Sequence, residues 1–243
     1  MIDPSAAGAI TLRRVTEPDD LAIPGFGALQ DRTYFEPDML IPAGFISRLL
    51  EWQTPQRRNL LLVAEQAGKV VGGTLFHAFP EVGSGFSSYL ATAPELRGQG
   101  LARRLHDARL DWLDEAVHGR VAGVFIDVVA PERLTPEDWK AERAVGSDPA
   151  QRRAAFGSLG FRQVKVTYQQ PTGGPDGGPV TNMDLLYCPR DPAESVPAEL
   201  LLNTMRAYWQ DWLGERRTGQ ALAALAAQAG ADGSFHLVSP APA

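Results

Sequence analysis

The sequence predicts an α/β fold with a mixed central sheet, followed by a helical C-terminal addition. Three observations carry this. Residues 60–65 and 70–79 are strand-like runs joined by the short turn QAGK, so the early strands form a hairpin and not a βαβ repeat. Leu101, Leu105, Ala108, Trp112 and Ala116 recur at spacings of three and four, which marks an amphipathic helix. That helix is entered through a glycine-rich turn from the strand-like stretch 86–92. From about residue 190 the pattern changes to helical sequence, PAELLLNTMRAYWQDWL and GQALAALAAQA, which divides the chain into residues 1–190 and 191–243.

In chain order, ITLRRV at 10–15 alternates as a first strand. Residues 19–52 read as helical pieces broken at Pro24, Gly25, Pro37 and Pro42, with 45–52 the clearest. The hairpin and the strand at 86–92 follow. After the glycine-entered helix, GVFIDVV at 123–129 is an apolar run of buried-strand type holding one carboxylate, Asp127. TPED at 135–138 offers an N-cap threonine, a proline at the first helical position and an acid at the third, and DPAQ at 148–151 repeats much of that pattern. The helix at 150–159 ends on Gly160. Residues 161–168 and 182–187 read as strands, and the Gly/Pro-rich stretch 169–179 between them reads as a surface loop or a lid.

Composition narrows the function classes. The 243 residues are 44% hydrophobic and 21% charged with a formal net charge of −6, which argues against nucleic acid as a partner despite the local cluster Arg97, Arg103, Arg104. The single cysteine, Cys188, allows no intrachain disulfide and no cysteine-based zinc site, and reads as a strand-end thiol. No secretory signal and no membrane-spanning run is visible, so a cytoplasmic protein is expected. His77 sits among apolar residues and reads as a core or rim histidine. His106, His118 and His236 form no ligand set with it, so no metal is expected.

RGQGLA, residues 97–102, lies at the strand-to-helix junction. A helix N-terminus there presents unpaired N–H groups and partial positive charge, which suits a phosphate. A Walker loop is excluded, because no glycine–lysine–Ser/Thr triplet occurs. A dinucleotide loop fits poorly: Arg103 stands where a third glycine is needed, and PELR separates the strand from the first glycine. RGQGLA instead matches the arginine/glutamine-x-x-Gly-x-Gly/Ala pattern, and with its surrounding strands, helix and SLGF turn the chain over residues 9–190 resembles the GNAT superfamily of N-acetyltransferases. The resemblance implies acetyl-coenzyme A as co-substrate, its pyrophosphate held by Arg97, Gly98, Gln99, Gly100, Leu101, Ala102 and Arg103. It implies two splayed parallel strands gripping the pantetheine arm, with Leu90 and Thr92 on one of them and Phe156 also contacting the cofactor.

On the same resemblance, Asp127 takes the proton from an incoming primary amine; its other reading is a structural aspartate paired with a nearby arginine. Relatives often carry a tyrosine as general acid where this chain has Phe156, and Tyr168 or Tyr187 is a candidate substitute. The insertion around 135–145 is expected to shape the acceptor pocket. The acceptor is a small-molecule or peptide amine, and a non-catalytic acyl-coenzyme A sensor is the rival reading. The alanine-rich C-terminal helices either pack on the preceding domain or form a homodimer interface.

Overall fold

Branched and aromatic residues make up about half of the early strands, which fold as a meander with two early helices against one face. The computed structural model describes residues 8–34, 40–172 and 178–240. Strand β1 (Thr11–Val15) leads to helices α1 (Ala22–Thr33) and α2 (Ala43–Glu51), then strands β2 (Arg58–Gln66), β3 (Lys69–Phe79) and β4 (Ser84–Thr92). Helix α3 (Leu101–Ala116), β5 (Gly123–Val129), α4 (Pro136–Ala144), α5 (Pro149–Ser158), β6 (Arg162–Val164) and β7 (Met183–Pro189) follow. The C-terminal segment adds β8 (Ser195–Pro197), α6 (Ala198–Leu213), α7 (Glu215–Ala226) and β9 (Ser234–Val238). One sheet runs in the order β1-β2-β3-β4-β5-β7-β6-β9-β8 among the described residues. It is mixed: β4 and β5 are parallel and the other pairs antiparallel.

Helices cover both faces. Leu101, Leu105 and Leu113 of α3 pack with Phe156 of α5 on Leu62, Val124 and Ile126. On the opposite face α1 and α2 bury Ile23, Phe26 and Leu49 against Leu61 and Leu75, while α6 buries Met205 and Trp209 beside Phe86 and Phe125. Gly72 makes room for α3, since a Cβ there would lie 3.1 Å from Leu101 and 3.2 Å from Leu105.

The feature that positions the site is the departure of β4 from β5. Their starts are tied by the Ala122 N–H donating to Gly83 O at 2.8 Å. The ladder then holds for two pairs only, Gly85↔Val124 and Phe86↔Phe125. Beyond them β5 keeps its full pairing with β7 while β4 follows β3, and a gap opens between parallel strands. A bulge causes the turn-away. Leu75 opposes Tyr89 and Phe76 opposes Ser87, so Ser88 is an extra residue in β4. Such an insertion bends a strand and re-aims its side chains.

Several expectations differ in the structure. Helix α1 runs unbroken through Pro24 and Gly25. Pro24 is its third residue, in the first turn, where a helix needs no N–H donor. The stretch 161–168 keeps only three residues in strand form; Tyr168 instead enters the core under α6, stacked on Trp209. The segment after residue 190 contains the two expected helices and two strands that helical periodicity did not reveal. Of these, β9 pairs with β6 and covers an edge that would otherwise stand open. Pro37, residues 1–7 and the middle of the Gly/Pro stretch, 173–177, lie outside the described residues.

Candidate functional site

The glycine turn is shaped by backbone conformation. Gly98 and Gly100 have φ of +77° and +78°, the left-handed region that side chains rarely adopt, and a Cβ on either would meet nothing within 4 Å. The space above them is open. Within the turn, the Arg97 N–H donates to Pro94 O at 3.2 Å and the Gln99 N–H to Leu96 O at 3.4 Å, so those two amides are already used. The Arg104 N–H makes the first helical bond, to Gly100 O at 3.1 Å. The N–H groups of Leu101, Ala102 and Arg103 precede it at the positive end of α3.

A cleft of about 590 Å³ opens beside this turn. It brings together Leu90 and Thr92 of β4, Arg97, Gly98, Gly100, Leu101, Ala102 and Arg103 of the turn, and Phe156 of α5. Gln99 does not line it; its side-chain amide donates back to Glu95 O at 3.2 Å. The guanidinium groups of Arg97 and Arg103 reach across to Gly146 O and Ser158 O on the facing wall. Helix α4, expected to shape an acceptor pocket, lines neither cavity. It acts at one remove, through the fully buried Glu142, which holds Arg152 at the cleft wall.

A second cavity of about 90 Å³ lies in the gap between β4 and β5. Asp127 is there, with Ser88, Tyr89, Gln170 and Tyr208. Tyr34, Arg152 and Phe156 line both cavities and so form their junction. The Asp127 carboxylate accepts a hydrogen bond from the Tyr168 hydroxyl at 3.1 Å. No arginine lies within ion-pair distance of it among the described residues, unlike the structural pairing the sequence left open. Burial raises the Asp127 carboxyl to about 6, and the Tyr168 bond opposes that rise. Tyr187 is elsewhere: its hydroxyl donates to Ala122 O at 2.8 Å, at the closed end of the two strands.

Tyr208 is held by a directional chain. The Asn59 amide donates to Trp52 O at 2.6 Å, which leaves Asn59 Oδ1 as an acceptor 2.7 Å from His77 Nδ1. Nδ1 therefore carries the proton, and Nε2 accepts from Ser88 Oγ at 2.8 Å. Ser88 Oγ then accepts from the Tyr208 hydroxyl, 3.1 Å away. Burial, reinforced by Arg57, keeps His77 neutral by pushing its pKa well below the ordinary value. His77 is thus a satisfied core histidine that orients a cavity residue. Sequence reasoning missed Tyr34, Ser88, Arg152, Gln170 and Tyr208. For Tyr208 a signal existed, a polar-tipped residue on the buried face of an amphipathic helix; for the others there was none.

This geometry carries a family likeness. Residues 27–133 match the model of the Acetyltransferase (GNAT) family. Over those residues the chain is similar to a GNAT acetyltransferase domain. Among solved structures, a GNAT-family structure from Desulfovibrio desulfuricans is 15% identical, with 74% of this chain and 99% of that chain covered and a TM-score of 0.50. The ribosomal-protein-S18-alanine N-acetyltransferase from Escherichia coli is 19% identical, covering 76% and 96%, with a TM-score of 0.48. Ard1 from Thermoplasma volcanium is 18% identical, covering 74% and 96%, at 0.48. No curated protein matches the chain. The GNAT match supports acetyl transfer in general, the reaction for which this family uses acetyl-coenzyme A.

Proposed function

We propose that the protein transfers the acetyl group of acetyl-coenzyme A to a primary amine by direct attack. The observation that carries this reading is the splayed gap, with the N-terminus of α3 beside one cavity and Asp127 inside the other. The pyrophosphate of the co-substrate sits on the open N–H groups of the turn and of Leu101–Arg103. Its arm follows the edge of β4 past Thr92 and Leu90, where β5 no longer pairs.

The chemistry is a proton transfer and an acyl transfer. Asp127, ionised above about pH 6, removes one proton from the ammonium. The freed lone pair attacks the thioester carbonyl, the C–N bond forms and the C–S bond breaks. The electron pair leaves on sulfur as a thiolate, and the second proton shed by the nitrogen as the amide forms neutralises it. A thiol pKa near 8.5 makes that departure feasible with Phe156 in place of an acid. Phe156 favours the rival reading of a non-catalytic acyl-coenzyme A sensor. The separate cavity beyond the junction, holding a carboxylate with no ion pair among the described residues, favours transfer, since a sensor needs no such space.

Thermal unfolding with acetyl-coenzyme A, coenzyme A or NAD tests the first half. Ligand at a hundred times its Kd adds about 2.7 kcal/mol, a rise of about 5–10 °C for a chain of this size. Both coenzyme A species should raise the midpoint and NAD should not. Thiol release in the presence of amines tests the second half. Binding with no turnover on any amine would leave the sensor.

A further inference from the structure

The polar atoms of the inner cavity are matched to one kind of guest. Asp127 presents a carboxylate. The Tyr208 hydroxyl spends its proton on Ser88 and so offers lone pairs. Gln170 lines the same cavity, and its Oε1 is buried without a hydrogen-bond partner among the described residues. A buried carbonyl oxygen left unpaired is costly, and a bound donor relieves that cost. Three residues bearing acceptor oxygens thus line one small space, and an alkylammonium carries three N–H donors and no acceptor. Charge agrees. Arg152, the cation at the junction, is neutralised by the buried Glu142, so Asp127 sets the sign of the cavity.

Size adds a second restriction. A cavity of 150 Å³ holds benzene, so the 90 Å³ here takes about four non-hydrogen atoms. That accommodates a nitrogen and a few carbons in line. The walls are Ile126, Val128 and the tyrosine rings, which suit methylenes. The N-terminal amine of a peptide carries an α-branch and a following chain, whose atoms exceed what that volume takes.

We propose that the acceptor is an unbranched primary alkylamine, entering as its ammonium ion, gripped by Asp127, Gln170 Oε1 and the Tyr208 hydroxyl. This rests on the acetyl-transfer reading and names the substrate class of that site. The C-terminal segment thereby supplies a specificity residue, Tyr208, to a pocket otherwise built by the preceding strands.

Thiol release from acetyl-coenzyme A at pH 8 with n-butylamine, sec-butylamine and an alanine-terminated tripeptide decides it. A misplaced methyl in a close-fitting pocket costs ten- to 200-fold, so n-butylamine should exceed sec-butylamine at least tenfold in kcat/KM and exceed the tripeptide further. Gln170→Leu and Tyr208→Phe should each raise the KM for n-butylamine about tenfold or more while changing kcat little, because each removes an acceptor from a charged donor. Their unfolding midpoints with coenzyme A should rise as the parent's does, which shows that the fold and outer cleft survive. Equal or better turnover of sec-butylamine or of the tripeptide overturns the proposal and leaves acetyl transfer standing. Absence of turnover with all amines overturns the transfer reading itself, and this proposal with it.

Discussion

Replacing Asp127 by asparagine should stabilise the protein while stopping its chemistry. The carboxyl moves from 3.8 to about 6 because burial disfavours the anion more than the Tyr168 hydroxyl favours it. That displacement corresponds to a penalty of up to about 3 kcal/mol on the folded state once the group is ionised. The sign follows from proton counting. Between pH 3.8 and about 6 the folded chain binds more protons at this site than the unfolded chain, so rising pH lowers stability. Above that window the penalty is complete, and below it the penalty is absent. Asparagine is close in shape, stays neutral, and leaves Tyr168 an oxygen to donate to.

The expected result is a pH-dependent gain. At pH 8 the Asp127→Asn variant should unfold higher than the parent by up to about 6–12 °C, taking about 2–4 °C per kcal/mol for a chain of this length. At pH 4 the two midpoints should converge. Turnover of a competent amine should fall by 10²–10⁴, the usual contribution of a general base. A variant no more stable at pH 8 than at pH 4, relative to the parent, refutes the buried-anion argument. A variant that turns over fully across the pH range refutes the catalytic role, whatever its stability.

Two further outcomes follow from neighbouring contacts. Tyr168→Phe removes the one side-chain donor to the Asp127 carboxylate among the described residues, so the acid limb of kcat/KM should move upward from about 6; an unmoved limb in a pH–rate profile counts against the assignment. Arg109→Met removes a buried cation whose partners are the neutral Ser87 Oγ at 2.5 Å, Thr74 Oγ1 at 3.4 Å and His106 Nδ1 at 2.5 Å. Its unfolding free energy should stay within about 2 kcal/mol of the parent's, since well-packed apolar replacements of buried charge are often neutral, while turnover falls as β4 loses its anchor; a large loss of stability with intact kcat would contradict this.

Much of the site's frame is written in local sequence, and the rest is not, for physical reasons. The glycines at 98 and 100 are legible because only glycine occupies left-handed backbone cheaply. Thr135 and Asp138 form the capping box their spacing predicts, since its bonds span three residues. Asp127 is legible as an acid inside an apolar strand. By contrast, the bulge at Ser88 exists only relative to the register of β3, and nothing in FSSYLAT reveals it. Tyr208 meets Ser88 across 120 residues of chain, and such a contact is made by topology and not by spacing. Pro24 was misread because its effect depends on where the helix starts. At the third position the missing N–H costs nothing.

The bulge explains why these distant residues matter together. Where β4 leaves β5, two consecutive serines are held from opposite faces of the sheet. Ser87 accepts from Arg109 of α3, and Ser88 bonds His77 and Tyr208 on the α6 side. An arginine buried with no carboxylate partner among the described residues is unfavourable enough that burial lowers its pKa to about 10. A packing residue of similar size would cost less. What the arginine and the His77 chain provide is a strand fixed at its point of departure, so that one edge stays unpaired and open. The opening between β4 and β5 is therefore set by two polar anchors, one contributed by the glycine-entered helix and the other shared with the C-terminal segment. On the proposed reading, an acyl-transfer site made from bare strand edge requires that the edge neither closes onto β5 nor drifts from it, and these anchors would meet that requirement.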